Sequence, residues 1–321
     1  MSKRQLVATW ALVLLAGCGS NSNPGTDAGT PDLGQVDANL PMTCVGEDGT
    51  TPCVVTGSVS EPIEADLTCL GARRELAGDV AERTLQLTAF GATLTPIANG
   101  TFEVWPTNVV GTDCGSAAGC VTLTSDAVGL ATTSLDWSYF AYHVPANAAA
   151  ATVETFGYNW LPANVGEISD VQATTVALRD TAIPLVRAGF TLDASKGIVA
   201  GAVFDCQYHY LHGVTLRVAV AGSYVDFAGT GATDAGLAYR ADALLPDLSL
   251  RTSDFSGAFA AANLPTGMAR VEAYGVRTMG SSVTLLGCEE VSLHAGAVTI
   301  VNVGPLRNDY PVGNGCHGVM P

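Results

Sequence analysis

From Cys53 onward the chain is written in short runs of Val, Thr, Leu, Ala and aromatic residues, broken every 8–12 residues by Gly, Pro, Asn or Asp. That spacing suits strands of a few residues joined by turns, and it leaves no window for an apolar stripe of helical period. It predicts strands over residues 54–59, 84–89, 138–144, 152–156, 174–178, 197–205, 214–220, 257–261, 268–274, 282–286 and 298–303, and no amphipathic helix. A single seven-stranded sandwich uses fewer. The expectation is therefore an all-β body of two β-sandwich domains, over residues 44–190 and 196–305, meeting near 187–196. A tail, 306–321, is expected to be held by a disulfide.

The first residues set the compartment. Lys3 and Arg4 precede an apolar run from Leu6 to Leu15 that only Thr9 interrupts. The run is too short to span a bilayer and has the length of a signal-peptide core. Leu15-Ala16-Gly17-Cys18 then resembles the lipobox of bacterial lipoproteins. The resemblance implies removal of residues 1–17, diacylglycerol on the Cys18 sulfur and acylation of the new amino terminus. Several acyl chains, each stabilising by about 0.8 kcal/mol per buried methylene, make a durable anchor. Gly19 and Ser20 follow, rather than aspartate, which by the same resemblance implies an outer-membrane address with its face left open. Residues 18–43, rich in Gly, Ser, Asn and Pro with Asp27, Asp32 and Asp37, form an acidic linker that cannot bury a core. The aspartates lack the alternation and closing glutamate of a calcium loop.

Of nine cysteines, Cys18 leaves eight: Cys44, Cys53, Cys69, Cys114, Cys120, Cys206, Cys288 and Cys316. An even number in an exported chain reads as four disulfides of open connectivity. Cys114 and Cys120 flank a Gly/Ala/Ser loop and are expected to pair locally. Cys206 and Cys288 are the natural partners in the C-terminal half, which sends Cys316 back to the N-terminal half, to Cys44. With no CxxC pair, a zinc site is a poor reading. Charge narrows the partners further. The chain has 14 Lys and Arg against 30 Asp and Glu, and loss of Lys3 and Arg4 takes the formal charge from −16 to −18. That charge argues against nucleic acid and anionic surfaces as partners.

The C-terminal half carries a pattern: Gly197-Ile198-Val199-Ala200-Gly201-Ala202-Val203, Gly213-Val214-Thr215-Leu216-Arg217-Val218, Asp254-Phe255-Ser256-Gly257 and Asn263-Leu264-Pro265-Thr266-Gly267. Over about 197–305 it resembles the carboxypeptidase regulatory-like domain, a transthyretin-like seven-stranded sandwich. Ala269 and a long insertion at 224–250 depart from the family pattern. The resemblance implies an accessory module without catalytic residues. A fainter echo at Val55-Thr56-Gly57-Ser58-Val59, and again at 126–129 and 144–145, implies a divergent first copy.

No G-x-S-x-G elbow, H-E-x-x-H or phosphate loop is spelled anywhere. The chain is expected to be no enzyme and to need no cofactor or metal. His209 and His212 stand i,i+3, but on a continuing strand that odd spacing sends them to opposite faces. The adjacent Glu289 and Glu290 do the same and make no glycosidase pair.

One cluster rises above this background. On the strand 138–144, Phe140 and Tyr142 share one face while Trp137, Tyr139 and His143 share the other. Nearby, Tyr158-Asn159-Trp160-Leu161-Pro162 reads as an exposed turn. If exposed, Trp137, Tyr139, His143, Tyr158 and Trp160 make a platform for a sugar or peptide. If another layer covers them they are core, the favoured arrangement because large exposed apolar patches are uncommon. The expected function is a lipid-anchored, non-catalytic binding or scaffolding module with an envelope protein or glycan as partner. An exported glycan or peptide hydrolase and a purely structural envelope subunit are the alternatives.

Overall fold

The structure, a computed structural model, describes residues 45–58, 61–72, 81–91, 93–105, 114–115, 119–135, 140–160, 167–181, 190–240, 246–247, 250–254, 256–308 and 314–319. The expectations placed on Cys18, the linker, Cys44, Trp137 and Tyr139 lie outside the described residues.

The first half supplies strands β1 (Val55–Ser58), β2 (Glu61–Glu64), β3 (Ala81–Phe90), β4 (Leu94–Pro96), β5 (Thr101–Trp105) and β6 (Val121–Thr124). It continues with β7 (Leu130–Leu135), β8 (Phe140–Val144), β9 (Thr155–Trp160), β10 (Ile168–Thr174) and a helix, α1 (Val176–Thr181). The second half supplies β11 (Gly197–Val203), β12 (Thr215–Val220), β13 (Ser223–Tyr224), β14 (Gly236–Arg240) and β15 (Pro246–Asp247). It ends with β16 (Ala258–Leu264), β17 (Gly267–Val276), β18 (Val283–Leu293) and β19 (Val298–Val303). The chain is all-β, as its spacing requires, with one departure. Where a strand was expected over 174–178, β10 stops at Thr174 and α1 begins. Thr175 Oγ1 accepts the Leu178 N–H at 3.1 Å, capping a segment of Ala, Leu and Arg that favours helix.

One sheet has nine strands, in the order β15-β14-β16-β11-β19-β9-β8-β5-β6. A second is β13-β12-β17-β18, a third is β10-β3-β4 with β7 also paired to β3, and β1-β2 form a ribbon. The nine-stranded sheet is the middle layer. Val199, Val203, Phe156, Tyr158, Val301 and Val303 share a core with Val271, Val291 and Leu293 of the second sheet. Ile198, Tyr142, Trp160, Val298 and Ile300 share another with Leu85, Leu87, Val171 and Ala173 of the third. Neighbouring residues of one strand thus feed separate cores, as a period of two requires. A strand covered on both faces is buried throughout, and every residue of β8 is.

The expected boundary at 187–196 does not interrupt this sheet. β19 lies parallel to β11 on one side, from Ile198↔Val298 to Val203↔Val303, and parallel to β9 on the other, from Thr155↔Val298 to Tyr158↔Val301. The two sandwiches share their central sheet, with partner sheets on opposite faces. Contact is close enough to demand Gly201, where a Cβ would lie 1.8 Å from the Val301 carbonyl oxygen.

The opening segment does not join the N-terminal half. Val54 N–H donates to Val276 O at 2.9 Å, His212 N–H to Val55 O at 2.9 Å and Cys206 N–H to Asp66 O at 2.8 Å. β1 pairs with β2 in its own ribbon, not as the first strand of a repeated copy.

The disulfides follow the same geometry. Cys114 pairs with Cys120 as expected. Cys206 pairs with Cys69 rather than Cys288, because the 66–70 loop lies against the end of β11. Cys316 pairs with Cys288, not Cys44, because residues 314–319 fold onto β18. Cys53 is disulfide-bonded to a partner outside the described residues. No helix among the described residues is long and apolar enough to cross a membrane.

Candidate functional site

The described members of the aromatic platform, His143, Tyr158 and Trp160, lie in the core. Tyr158 is fully buried, and His143 and Trp160 nearly so. Of the segment expected as an exposed turn, residues 158–160 are the end of β9, and Leu161 and Pro162 lie outside the described residues. Asn159, at φ 57°, breaks the alternation there, so Tyr158 turns to one core and Trp160 to the other. Trp160 meets Tyr142 edge-on with centroids 5.3 Å apart. Phe140 and Tyr142 do share a face, and both faces of β8 carry large side chains because each is covered by a sheet.

Buried with them is a polar clamp that sequence reading missed. His143 Nδ1 lies 2.9 Å from Glu103 Oε2, and its Nε2 lies 3.0 Å from Glu154 Oε1. Register brings Glu103 there, since it stands cross-strand from His143 on β5. The other Glu103 oxygen accepts the Cys114 N–H at 2.7 Å. A neutral imidazole has one N–H, so only the imidazolium donates to both glutamates. Phe156, the cross-strand neighbour on β9, stacks on His143 at 4.5 Å, and His294 stacks on Phe156 at 4.2 Å. Burial pushes the His294 imidazole below its ordinary range, and the nearby His143 adds to the effect. Among the described residues neither ring is hydrogen-bonded to a serine, threonine or cysteine. The cluster therefore ties β5, β8 and the start of β9 together without presenting a nucleophile.

His209 and His212 do not converge. His212 is buried, whereas the His209 side chain is 57% exposed and sits 3.4 Å from Asp205. Among the described residues no group of three or more His, Cys, Asp or Glu could hold a metal ion. Glu289 turns inward, where Asn159 Nδ2 donates to it at 2.9 Å, while Glu290 turns outward and accepts the Gly315 N–H. A groove of 630 Å³ lies beside α1, lined by Ala, Thr, Pro96 and Ile97 side chains with Asn147. Among the described residues its lining carries no ionisable group and offers no acid or base.

The outer face of the second sheet is different. Cross-strand pairing places Arg217 opposite Glu272 and Tyr224 opposite Ala219. Glu272, only 1% exposed, accepts hydrogen bonds from Tyr274 Oη at 2.7 Å and Tyr224 Oη at 2.9 Å, and pairs with Arg270. Burial and this bond to a carboxylate push the Tyr274 phenol well above its ordinary range. Arg270 also donates to Gly315 O at 3.1 Å. The Arg217 guanidinium lies 5.8 Å from the Tyr224 ring centroid and 5.1 Å from that of Tyr274. Tyr224 is 53% exposed and Met268, at the end of this face, 48%. No single motif announces this site. Its residues come from β12, β13 and β17, and only pairing assembles them.

No protein-family model matches the chain, and no curated protein matches it. Solved structures similar to parts of it include the Bacillus anthracis TIE protein, at 12% identity over 70% of this chain and 34% of that one, with a TM-score of 0.21. The chain thus spans about a third of that protein's length. GBS52, the minor pilin of the Gram-positive pathogen Streptococcus agalactiae, matches at 10% identity over 72% and 100%, with a TM-score of 0.20. A streptococcal ancillary pilin matches at 14% identity over 70% of each chain, with a TM-score of 0.18. Superpositions this loose carry no argument, and the fold rests on the sheets described above.

Proposed function

We propose that this chain is a non-catalytic structural and binding subunit of the bacterial cell envelope, lipid-anchored at the outer membrane through Cys18. One observation carries the binding part. The Tyr224–Arg217–Tyr274 cluster is held in place by the buried Glu272, yet keeps exposed aromatic and guanidinium surface. Tyrosine and arginine of that kind dominate recognition surfaces. The disulfides support an oxidising compartment, which agrees with export. The carboxypeptidase regulatory-like reading of the C-terminal half draws support from seven strands in two facing layers, β14-β16-β11-β19 against β12-β17-β18. The absence of catalysis is part of the same proposal. The clamped His143 and the acid-free groove give hydrolysis no obvious centre.

Two measurements test it. Metabolic labelling with a palmitate analogue is expected to require Cys18, and undiminished labelling of Cys18→Ser overturns the anchor. A pull-down from envelope extracts with the soluble body is expected to retain a partner that Tyr224→Ala/Met268→Ala loses. Identical recovery by both proteins removes the outer face from the reading.

A further inference from the structure

The geometry points to an acidic saccharide as the ligand of the Arg217 site, with the sugar carboxylate on the guanidinium and the sugar ring against Tyr224. This rests on reading the outer face of the second sheet as a binding surface, and it names the ligand class.

Three features of the face lead there. The first is the state of its two arginines. Arg270 is already engaged by Glu272 and by the Gly315 carbonyl. Arg217 meets no carboxylate among the described residues, and its guanidinium lies by two tyrosine rings. A planar guanidinium in that setting is oriented and weakly hydrated, with its fork of N–H donors free for a carboxylate. Among the described residues Arg251 and Arg277 also meet no carboxylate, but neither lies over an aromatic ring.

The second feature is rigidity. Tyr224 and Tyr274 both donate to the same Glu272 carboxylate, so neither ring is free to swing. Glu272 is itself 1% exposed and sits directly across from Arg217 on the neighbouring strand. A preset aromatic ring with a polar edge suits a pyranose, whose C–H face stacks while its hydroxyls stay wet.

The third feature is size. The C-terminal segment is stapled over β18 by Cys288–Cys316, both half-cystines being fully buried, and Gly315 reaches as far as Arg270. Among the described residues Arg217, Tyr224 and Met268 keep exposed surface at one corner of the face, beside the half-buried Tyr274. A stable protein partner covers roughly 800 Å² on each side, far more than four side chains offer. One or two sugar rings match that corner. An acidic peptide is the competing ligand, but its acidic side chains offer Tyr224 no flat C–H face to stack on.

The test is calorimetric titration of the full soluble body with digalacturonate, with neutral digalactose and with an Asp/Glu-rich hexapeptide. Digalacturonate is expected to bind at least about tenfold tighter than digalactose, and Arg217→Ala to abolish that preference. Arg217→Lys should restore part of it, while Tyr224→Ala weakens both sugars alike. Melting curves of each variant show that the sheet is intact. Equal affinity for the two disaccharides, no binding of either, or an unaffected Arg217→Ala overturns the inference. Tighter binding of the hexapeptide through Arg217 overturns it in favour of a peptide. If the sugars fail while Tyr224→Ala/Met268→Ala still loses its partner in the pull-down, the surface stands and only the ligand class falls.

Discussion

The ring of Tyr142 on β8 lies across Gly157 on β9, so close that a Cβ built on the glycine would sit 2.1 Å from Tyr142 Cε1. The glycine is the space the ring occupies. Gly157→Ala must therefore displace a fully buried tyrosine in a core that packs against the third sheet. The expected cost is about 2–3 kcal/mol from overpacking, read as a fall in the urea midpoint. Adding Tyr142→Leu should recover part of the loss. An unchanged midpoint for Gly157→Ala would show that the two side chains do not share that space.

The His143 clamp makes an asymmetric prediction. His143 and Glu103 are both buried, while the Glu154 side chain is 39% exposed. Removing His143 strands a buried carboxylate, so His143→Ala is expected to cost roughly 3–5 kcal/mol. Glu154→Gln should cost at most about 1 kcal/mol, because water screens and replaces that contact. Chemical denaturation of both variants checks the ratio.

His294 predicts a pH effect of definite sign. Its imidazole titrates lower in the folded chain than its ordinary 6.5, so the unfolded chain takes up the proton first on acidification. Its contribution to stability is complete above that value and is lost progressively as pH falls below it. The groups facing it are His143 and Glu154, and both remain in His294→Phe. Between about pH 7.5 and 5.5 the melting temperature of the parent should fall more than that of His294→Phe. Parallel curves would remove His294 from the acid response.

The disulfides should rank by the chain they enclose. Cys69–Cys206 spans 137 residues, Cys288–Cys316 spans 28 and Cys114–Cys120 spans 6. Restriction of the unfolded chain then gives about 5, 3.6 and 2 kcal/mol respectively. Paired Cys→Ser variants in denaturant melts test that order, and a larger loss from Cys114–Cys120 than from Cys69–Cys206 would refute it.

Strands were legible in this sequence where apolar runs were bounded by turn residues, as at β11, β12, β17 and β19. The strands that escaped notice include β7, with its Leu-Ala-Thr-Thr-Ser-Leu run, and β10, with Asp170 at its middle. Their polar residues hide the pattern. Asp170 is partly buried on an edge strand, and burial pushes its carboxyl above the usual range. A charge on an edge strand discourages pairing with another chain at the expense of a readable alternation. The aromatic cluster misled because two-sided burial and an exposed platform give the same string of residues. Only the third sheet, assembled from β3, β4, β7 and β10, decides between them. The Arg217 site had no complete local signature, because Tyr224 stands close by but Glu272 and Tyr274 lie tens of residues away and meet it through register.

β19 is the last strand of the described chain, and it is also the one that joins β11 to β9 inside the nine-stranded sheet. Until residues 298–303 arrive, β9 and β11 each present an unpaired edge and both cores stand open. The molecule therefore cannot mature from its amino terminus by stages. A chain made from its amino terminus stays an unfinished body until β19 is present, and native assembly then comes as one late event. Truncation just before Val298 would leave not a smaller version of the protein but an adhesive pair of sheet edges.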